Sequence, residues 1–402
     1  MTMEYFAPSE QRMWNTPNKA APPRISDEEI NAKYGKRELR IVTESNREQL
    51  PNFVDALKRP GPEWMQLRPF YQRRPRWDRV RQSKLIESFI MNIPVPPLFV
   101  YESTLAKYEV MDGQQRITAI LDFYTNKLKL EGLEQWPELN GRIYDTLPSE
   151  IKKGLDRRSV SYIVLLKESA SSSEEEVLLR QEVFERLNTG GIKLSKQEAR
   201  NALYQGPFNS LLLELSRNSH FREVWGLPLY SKSAEQNRAP ELLLNKMWIE
   251  MRDVEIILRF FALRNVNNYQ RGMKEFLDLY MVYSRSFTAE DIEFLRTVFE
   301  ETISLGKQIY GPLLAHPWDT AKNEWSRRPQ VAFADAVMVG LSRFRSHAEH
   351  FVSAREKILE DTAALFRANP PGTFTGRGNT KRDVQDRIRL YEEMLQRHVV
   401  AE

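Results

Sequence analysis

The stretch 112–118 brings together side chains that bind phosphate groups and metal ions. In order, its residues are an aspartate, a glycine, two glutamines, an arginine, an isoleucine and a threonine. The guanidinium of Arg116 is a planar fork that matches phosphate oxygens. Gln114 and Gln115 add amide donors and acceptors that suit a base, a sugar or a phosphate. Asp112 has three roles open to it: it holds a metal ion, orients Arg116 or caps a helix.

The residues on either side predict a strand before this stretch and a helix after it. The short, mainly apolar run 108–111 is typical of a strand, whereas Ile117, Ile120 and Tyr124 recur with the spacing of one helix face. Gly113 lies at the bend. The first turn of such a helix presents unpaired N–H groups and partial positive charge. The corner is therefore a candidate phosphate site, and the alternative is a purely structural turn.

Length and composition restrict the class of protein. A chain of 402 residues exceeds one typical domain, so two lobes are expected. Apolar residues make up 41%, which is enough for packed cores, and no run approaches the roughly 20 apolar residues of a membrane span. Cysteine is absent, which excludes disulfides, thiolate metal sites and a cysteine nucleophile. We therefore expect a cytoplasmic protein with no membrane partner.

Basic residues cluster in the window 58–90, although the formal net charge of the chain is only +4. Clustered charge of this kind favours contact with nucleic-acid phosphates. The candidate DNA contacts are Arg73, Arg74, Arg76 and Arg79. Gln72 and Arg73 are also candidates for a second wall of the nucleotide pocket. The alternative for this window is a solvated basic face with Trp77 in the core.

The chain divides by composition into three segments. Residues 1–37 are a polar arm interrupted by prolines, 38–167 contain the strands and the corner, and 168–402 predict helices almost throughout. The polar stretch 168–176, rich in serine and glutamate, marks the boundary. The later helices are predicted at 208–216, 242–262, 273–283, 289–306, 332–341, 351–366 and 384–398.

Several local signals are specific enough to compare with a structure. Residues 98–101 and 108–111 predict a hairpin, and the nearly all-apolar run 160–166 suits a central strand covered on both faces. Asp78 begins a helix whose inner face includes Val80.

Two further signals frame the end of the first lobe. Asn188 belongs to an Asn-Thr-Gly-Gly turn that is typical of a helix C-cap, and the alternative is that its amides close over a nucleotide. Ser195 and Glu198 have the spacing of a capping box.

Four stretches together resemble the DGQQR-motif family, which includes the N-terminal domain of GmrSD-type modification-dependent restriction enzymes. In the family's order they are Tyr71-Gln72-Arg73 with Trp77, then 93–98, then 112–118, then 184–201 with Asn188, Gly191, Leu194, Ser195 and Asn201. The resemblance spans roughly residues 40–205.

The resemblance implies an α/β (α+β) fold, with a ParB/sulfiredoxin-like N-terminal lobe followed by a mostly α-helical C-terminal lobe. It implies binding or hydrolysis of a nucleoside triphosphate with Mg²⁺, linked to DNA restriction against phage. Asp112 and Arg116 are then the candidate catalytic residues, and Asp112 is the candidate metal ligand. The nucleotide-binding set is Gly113, Gln114, Gln115, Arg116, Thr118, Gln72, Arg73 and Asn188.

The chain departs from two-part members of this family, which carry a His-Asn-His nuclease domain. It has only five histidines, and none lies in a recognisable nuclease motif. We therefore expect a nuclease partner subunit, and homo-oligomerisation is left open. The leading hypothesis is an NTP-dependent defence protein that acts on DNA. The alternatives are a nucleotide-gated DNA-binding switch or scaffold without turnover, and a DNA-nicking enzyme that uses the ParB-like lobe itself.

Overall fold

The computed structural model describes residues 5–15, 31, 43–59, 64–66, 77–166, 183, 195–204, 206–236, 239–376, 378 and 380–400. The chain divides into two compact units, Ala20–Leu194 and Met1–Lys19 with Ser195–Glu402. The first contains a five-stranded sheet and the second is almost entirely helical. The predicted α/β fold with a helical C-terminal region is confirmed.

Some predicted features lie outside the described residues. They are the site candidates Gln72, Arg73, Arg74, Arg76 and Asn188, and the boundary stretch 168–176.

The sheet of the first unit is mixed, with the strand order β1-β5-β3-β4-β2. Its strands are β1 Thr43–Gln49, β2 Met65–Gln66, β3 Leu98–Thr104, β4 Lys107–Asp112 and β5 Ser159–Leu165. β3 is parallel to β5 and β2 is parallel to β4, whereas β1–β5 and β3–β4 are antiparallel. The helices of this unit are Leu50–Lys58, Arg79–Ile90, Gln114–Tyr124 and Ser149–Asp156.

The predicted hairpin is confirmed by the β3–β4 pair. Ala106 has a φ of 56°, which turns the chain between the two strands. Asp112, the last residue of β4, is paired with Phe99 of β3. Gly113 follows immediately and begins the next helix. The strand, the bend and the helix of the predicted corner are therefore all present.

The prediction that the run 160–166 forms a central strand is confirmed, but one of its faces is covered only in part, since Leu165 is buried there whereas Ser161 is exposed. β5 lies between β1 and β3. Val160, Tyr162 and Val164 are buried, whereas Ser161 is exposed and Ile163 is half-buried. The side chains of a strand alternate between its two faces, so one face of β5 contributes to the core more completely than the other.

The helix Arg79–Ile90 begins as predicted, because the Asp78 carboxylate accepts a hydrogen bond from the backbone N–H of Arg81 at 2.8 Å. Its inner face is formed by Leu85, Ile86 and Phe89, which are buried. The inward placement predicted for Val80 is wrong, since this side chain is 37% exposed. Val80 lies in the first turn, where it meets the chain at Gly132 rather than the core.

The second unit is built from helices of very different lengths. They are Pro8–Arg12, Lys196–Leu203, Pro207–Leu215, Ser219–Val224, Lys232–Gln236, Pro240–Leu243, Lys246–Ile249, Arg252–Arg264, Met273–Tyr283, Ala289–Tyr310, Val331–Arg343, Ala348–Ser353, Arg355–Ala368 and Lys381–Val400. Two short strands, β6 Trp318–Asp319 and β7 Glu324–Trp325, form a small hairpin. Among the described residues no helix is long and apolar enough to span a membrane.

Two long helices predicted in this unit are wrong because each is broken. The predicted helix 242–262 is three helices, and Met251 at the last break has a φ of 53°. The predicted helix 351–366 is interrupted at Ala354, between Ala348–Ser353 and Arg355–Ala368. The predicted helix Met273–Tyr283 is confirmed at both ends.

The centre of the helical unit is the helix Val331–Arg343, which lies against three of the longest helices. Gly340 allows the closest approach, because a Cβ at this position would lie 2.6 Å from Cδ1 of Tyr391. The Tyr391 hydroxyl is hydrogen-bonded to the hydroxyl of Tyr310 at 2.6 Å, so this polar group is satisfied within the core.

The segment 5–15 packs into the helical unit through a buried carboxylate. Glu10 is fully buried, and its ion-pair partner Arg264 is also buried, with 3.4 Å between Oε2 and Nη1. The other oxygen accepts hydrogen bonds from Asn265 Nδ2 at 2.7 Å and from the Tyr280 hydroxyl at 2.9 Å. Burial and the adjacent Glu10 carboxylate raise the pKa of Tyr280 well above its ordinary value, so this hydroxyl remains a donor.

Candidate functional site

The corner at Gly113 requires glycine for two reasons. Its φ is +98°, in the left-handed region that side chains other than glycine rarely adopt. A Cβ at this position would also lie 2.3 Å from Cδ2 of Leu98 and 3.1 Å from Nη2 of Arg116. The backbone at this bend therefore approaches β3 and the arginine more closely than any side chain would permit.

Arg116 is held from two directions. Nη2 donates to Oδ2 of Asp112 at 2.6 Å, and Nη1 donates to the carbonyl oxygen of Pro96 at 2.6 Å. The side chains of Arg116 and Asp112 are 12% and 31% exposed, respectively. A guanidinium has five N–H donors, and these two bonds engage two of them. The remaining donors belong to a side chain whose position is already set.

Of the three roles predicted for Asp112, the structure shows the one in which its carboxylate orients Arg116. No side chain caps the helix Gln114–Tyr124, and its N-cap residue is Gly113. The N-cap residue therefore offers no side-chain acceptor to the first-turn amides. Such an end attracts an anion, because backbone donors and the helix dipole act together.

The sequence-distant segment 93–98 contributes to the same corner. Pro96 supplies a backbone acceptor for Arg116, and Leu98 packs where a side chain at Gly113 would otherwise lie. Two of the stretches on which the family resemblance rests therefore meet in space. The role of Pro96 was not predicted, since a carbonyl acceptor has no side-chain signature in a sequence.

The other predicted nucleotide-binding residues differ in exposure. Gln114 and Thr118 are buried, at 7% and 6% exposure, whereas Gln115 is half-buried. Arg79, the described member of the predicted DNA-binding set, is exposed at the start of the helix Arg79–Ile90. The accessible polar groups at the corner are therefore mainly those of Asp112, Gln115 and Arg116.

The corner contains one carboxylate suited to a metal ion. Within the described part of the chain, no three His, Asp or Glu side chains are grouped closely enough to hold a metal. Mg²⁺ is commonly bound through one or two carboxylates together with substrate phosphates and water. Asp112 is the described carboxylate of the corner and remains the predicted ligand for such an ion.

The comparison with protein families covers this part of the chain. Residues 55–205 match the family model of the GmrSD restriction endonuclease, N-terminal domain. Residues 55–205 are a GmrSD N-terminal domain. No curated protein and no solved structure matches the chain. The GmrSD N-terminal domain contains both the corner and the segment 93–98, and the suspected family is confirmed.

The match to the GmrSD N-terminal domain ends inside the helical unit, at residue 205, just after the helix Lys196–Leu203. The predicted capping box is confirmed there, since the Ser195 hydroxyl accepts from Glu198 N at 3.1 Å and Glu198 Oε2 accepts from Ser195 N at 2.8 Å. Arg200 is 2% exposed and forms ion pairs with Glu255 at 2.7 Å and Asp278 at 2.6 Å. Both partners lie beyond the family match, so this end of the domain depends on later residues.

Proposed function

We propose that the GmrSD N-terminal domain binds a nucleoside triphosphate at the corner 112–118 and couples its hydrolysis to action on DNA in restriction or anti-phage defence. The observation that carries this proposal is the fixed position of Arg116 at the start of a helix whose N-cap residue is glycine. A phosphate there would accept from the remaining guanidinium N–H groups and from the first-turn amides. A nuclease partner subunit would cleave the DNA.

Asp112 has two tasks in this proposal. It holds Arg116 in place through Oδ2, and it contributes a ligand to Mg²⁺ that arrives with the nucleotide. When bound, Mg²⁺ neutralises charge on the phosphates. Arg116 does the same from the opposite side, because its charge is permanent and its position needs no reorganisation.

Two observations support DNA as a partner: the family match and the basic residues of the window 58–90. The matched model describes a restriction endonuclease, and Arg79 presents an exposed guanidinium within the matched residues. Phosphate contacts make affinity fall steeply as salt rises. The variant Arg79→Ala should therefore weaken duplex binding and reduce the slope of log affinity against log salt by about one.

The second candidate is a nucleotide-gated DNA-binding switch or scaffold that does not hydrolyse its ligand. One observation favours it: the Asp112 carboxylate is already paired with Arg116 at 2.6 Å. A carboxylate oxygen that already accepts a hydrogen bond from a guanidinium is less available to accept a proton from an attacking water. Binding without turnover would then change the affinity of the protein for DNA.

Phosphate release from ATP, GTP, CTP and UTP tests these candidates, with Mg²⁺, with and without DNA. The purified chain is compared with Arg116→Ala and with Arg157→Ala, which removes an exposed arginine of the same unit. Turnover that is lost only in Arg116→Ala supports the NTPase. Saturable binding without turnover supports the switch. Neither binding nor turnover with any nucleotide contradicts both.

The same preparations test the hypothesis of direct nicking. Supercoiled plasmid is incubated with the chain and Mg²⁺, and relaxed product is measured on a gel. Nicking that disappears in Asp112→Ala would assign cleavage to the first unit itself. Intact plasmid in the presence of nucleotide turnover would favour a separate nuclease.

A further inference from the structure

A cleft of about 260 Å³ opens in the helical unit, between the β6–β7 hairpin and the chain that follows the helix Arg355–Ala368. Three aromatic side chains line it: Trp318, Phe366 and Phe374. The amides of Gln330 and Asn369 line it as well. Flat apolar rings combined with a few amide groups are typical of sites that bind a planar, polar ligand.

Contacts outside the cleft hold the aromatic rings in place. Phe366 lies 5.0 Å from Phe374 and 5.3 Å from Phe333, measured between ring centroids. Trp318 lies 5.4 Å from Trp325 in an edge-to-face arrangement, and the Arg367 guanidinium is 5.2 Å from the centre of the Trp318 ring. Rings fixed in advance lose little conformational entropy when a ligand stacks on them.

Some polar side-chain atoms at the cleft have no hydrogen-bond partner among the described residues. Nδ2 of Asn369 donates to the carbonyl of Leu365 at 2.8 Å, and its Oδ1 accepts nothing from the described residues. The Gln330 side chain has no hydrogen-bond partner within the same described ranges. The indole N–H of Trp318 is buried and also has none there. Amide groups of this kind pair with the donor and acceptor edges of nucleobases.

The hairpin segment beside the cleft has a net charge of +1, although Asp319 is one of the residues that line the cleft. Within 318–330 the cations Lys322, Arg327 and Arg328 outnumber the acids Asp319 and Glu324. Arg327 and Arg328 are exposed, and neither forms an ion pair with a described residue. A site for a neutral small molecule does not need such cations, whereas a nucleic-acid strand brings phosphates to them.

We propose that this cleft binds one unstacked base of a nucleic-acid strand. The base would stack on the aromatic wall, the amides of Gln330 and Asn369 would contact its edge, and Arg327 and Arg328 would contact the flanking phosphates. Aromatic platforms combined with a basic border are the means by which proteins bind single strands. The site lies in the helical unit and does not use the corner at Gly113.

Fluorescence anisotropy with a labelled single-stranded 12-mer and with the matching duplex tests the proposal. Both are measured without nucleotide, in the Arg116→Ala background, so that the result does not depend on the proposed NTPase. We expect Trp318→Ala to weaken single-strand binding by about 5- to 150-fold. Duplex affinity should remain unchanged, and Trp136→Ala, an exposed tryptophan of the other unit, should change neither.

A second variant guards against loss of folding. Gln330→Ala combined with Asn369→Ala leaves the three rings in place and should weaken single-strand binding by a smaller factor. Arg327→Ala with Arg328→Ala should reduce the salt slope of single-strand binding by about 1.4, since each phosphate contact to a single strand contributes about 0.7. Circular dichroism and the thermal midpoint identify any variant that does not fold.

Three results would overturn the proposal. The first is unchanged single-strand affinity in folded Trp318→Ala and in the double variant Gln330→Ala with Asn369→Ala, which would show that the cleft does not bind the strand. The second is an equal loss of affinity for the single strand and for the duplex, which would show that the substitution acts indirectly and not through a stacked base. Saturable binding of free nucleosides with no binding of the strand would assign the cleft to a metabolite instead.

Discussion

Arg116 and the carboxylate beside it determine what the corner can bind. We expect Arg116→Ala to weaken nucleoside triphosphate binding by about 10- to 150-fold, because a charge-assisted hydrogen bond contributes roughly 1.5–3 kcal/mol. Isothermal titration calorimetry with each nucleotide measures this directly. Arg157→Ala should bind as the unmodified chain does. Equal affinity in Arg116→Ala would remove Arg116 from the site.

Gly113 offers a prediction about stability that is independent of any ligand. We expect Gly113→Ala to destabilise the fold by at least about 1–3 kcal/mol, because the left-handed backbone is strained for alanine and the new Cβ would overlap Leu98. Gly154→Ala is the control, since this helical glycine has no atom within 4 Å of an added Cβ. There the substitution should be neutral or stabilising by up to about 1 kcal/mol. Urea denaturation of both variants separates these effects, and similar midpoints would contradict the account.

The strand, the bend and the helix of the corner were predictable, because an apolar run, a glycine and apolar residues at helical spacing follow one another. A glycine between a strand and a helix, followed by an arginine, indicates a phosphate site from the sequence alone. The carbonyl of Pro96 was not predictable, since every residue carries one and only folding brings it to Arg116. The choice of Asp112 between capping the helix and holding Arg116 also depends on that three-dimensional arrangement.

Among the elements, helices were predictable where apolar periodicity ends at a strong signal. The helix Met273–Tyr283 begins after Gly272, whose φ of 89° suits glycine, and its bounds agree with the prediction. The broken helix near Met251 was not predictable, because the apolar pattern continues across a residue with φ of 53°. Tertiary packing overrides local preference at such a position.

The contact between the helices Pro8–Arg12 and Ala289–Tyr310 predicts a pH dependence. Oδ1 of Asp291 accepts from Ser9 N at 3.2 Å, and Oδ2 accepts from Thr288 N at 2.8 Å. Burial raises the pKa of Asp291, but the hydrogen bonds from Ser9 and Thr288 outweigh burial and hold the pKa below its ordinary value. The ionised form therefore stabilises the folded state. This stabilisation is present above the ordinary pKa of about 4 and is lost as the pH falls through the lower folded value.

Asp291→Asn tests this dependence. The stability difference between the unmodified chain and the variant should be largest near pH 7 and should shrink below about pH 4. Glu290→Gln, which changes the exposed neighbouring carboxylate, should show no such trend. Denaturant midpoints between pH 3 and 7 provide the measurement. A difference that does not vary with pH would mean that the charge of Asp291 is not involved.

At the scale of the whole molecule, the buried ion pair of Glu10 and Arg264 joins the N-terminal segment to the helical unit. Removing one partner of a buried ion pair leaves an uncompensated charge, so Glu10→Ala should destabilise the helical unit by about 3–5 kcal/mol. Gln11→Ala, at the exposed next position, should have little effect. Urea denaturation of Glu10→Ala, of Arg264→Met and of the double variant gives the coupling between the two charges, and Gln11→Ala is measured as the control. A loss below about 0.5 kcal/mol in Glu10→Ala would contradict this assignment.

The position of Glu10 could not be predicted from the sequence. Glutamate is almost never fully buried without a partner, and nothing near Glu10 in the chain indicates that the partner is 254 residues away. The polar composition predicted an arm, but it did not indicate which residue of the arm is buried. Its burial follows from three partners, Arg264, Asn265 and Tyr280, that together satisfy the carboxylate.

The segments before and after the sheet-containing unit, Met1–Lys19 and Ser195–Glu402, both belong to the helical unit. The first unit is therefore an insertion within the second rather than a module placed before it. A fragment cut at residue 205, where the family match ends, would separate Arg200 from Glu255 and Asp278. Grafting experiments should instead exchange Ala20–Leu194 as a cassette, which leaves the partners of Glu10 and Arg200 in one recipient chain.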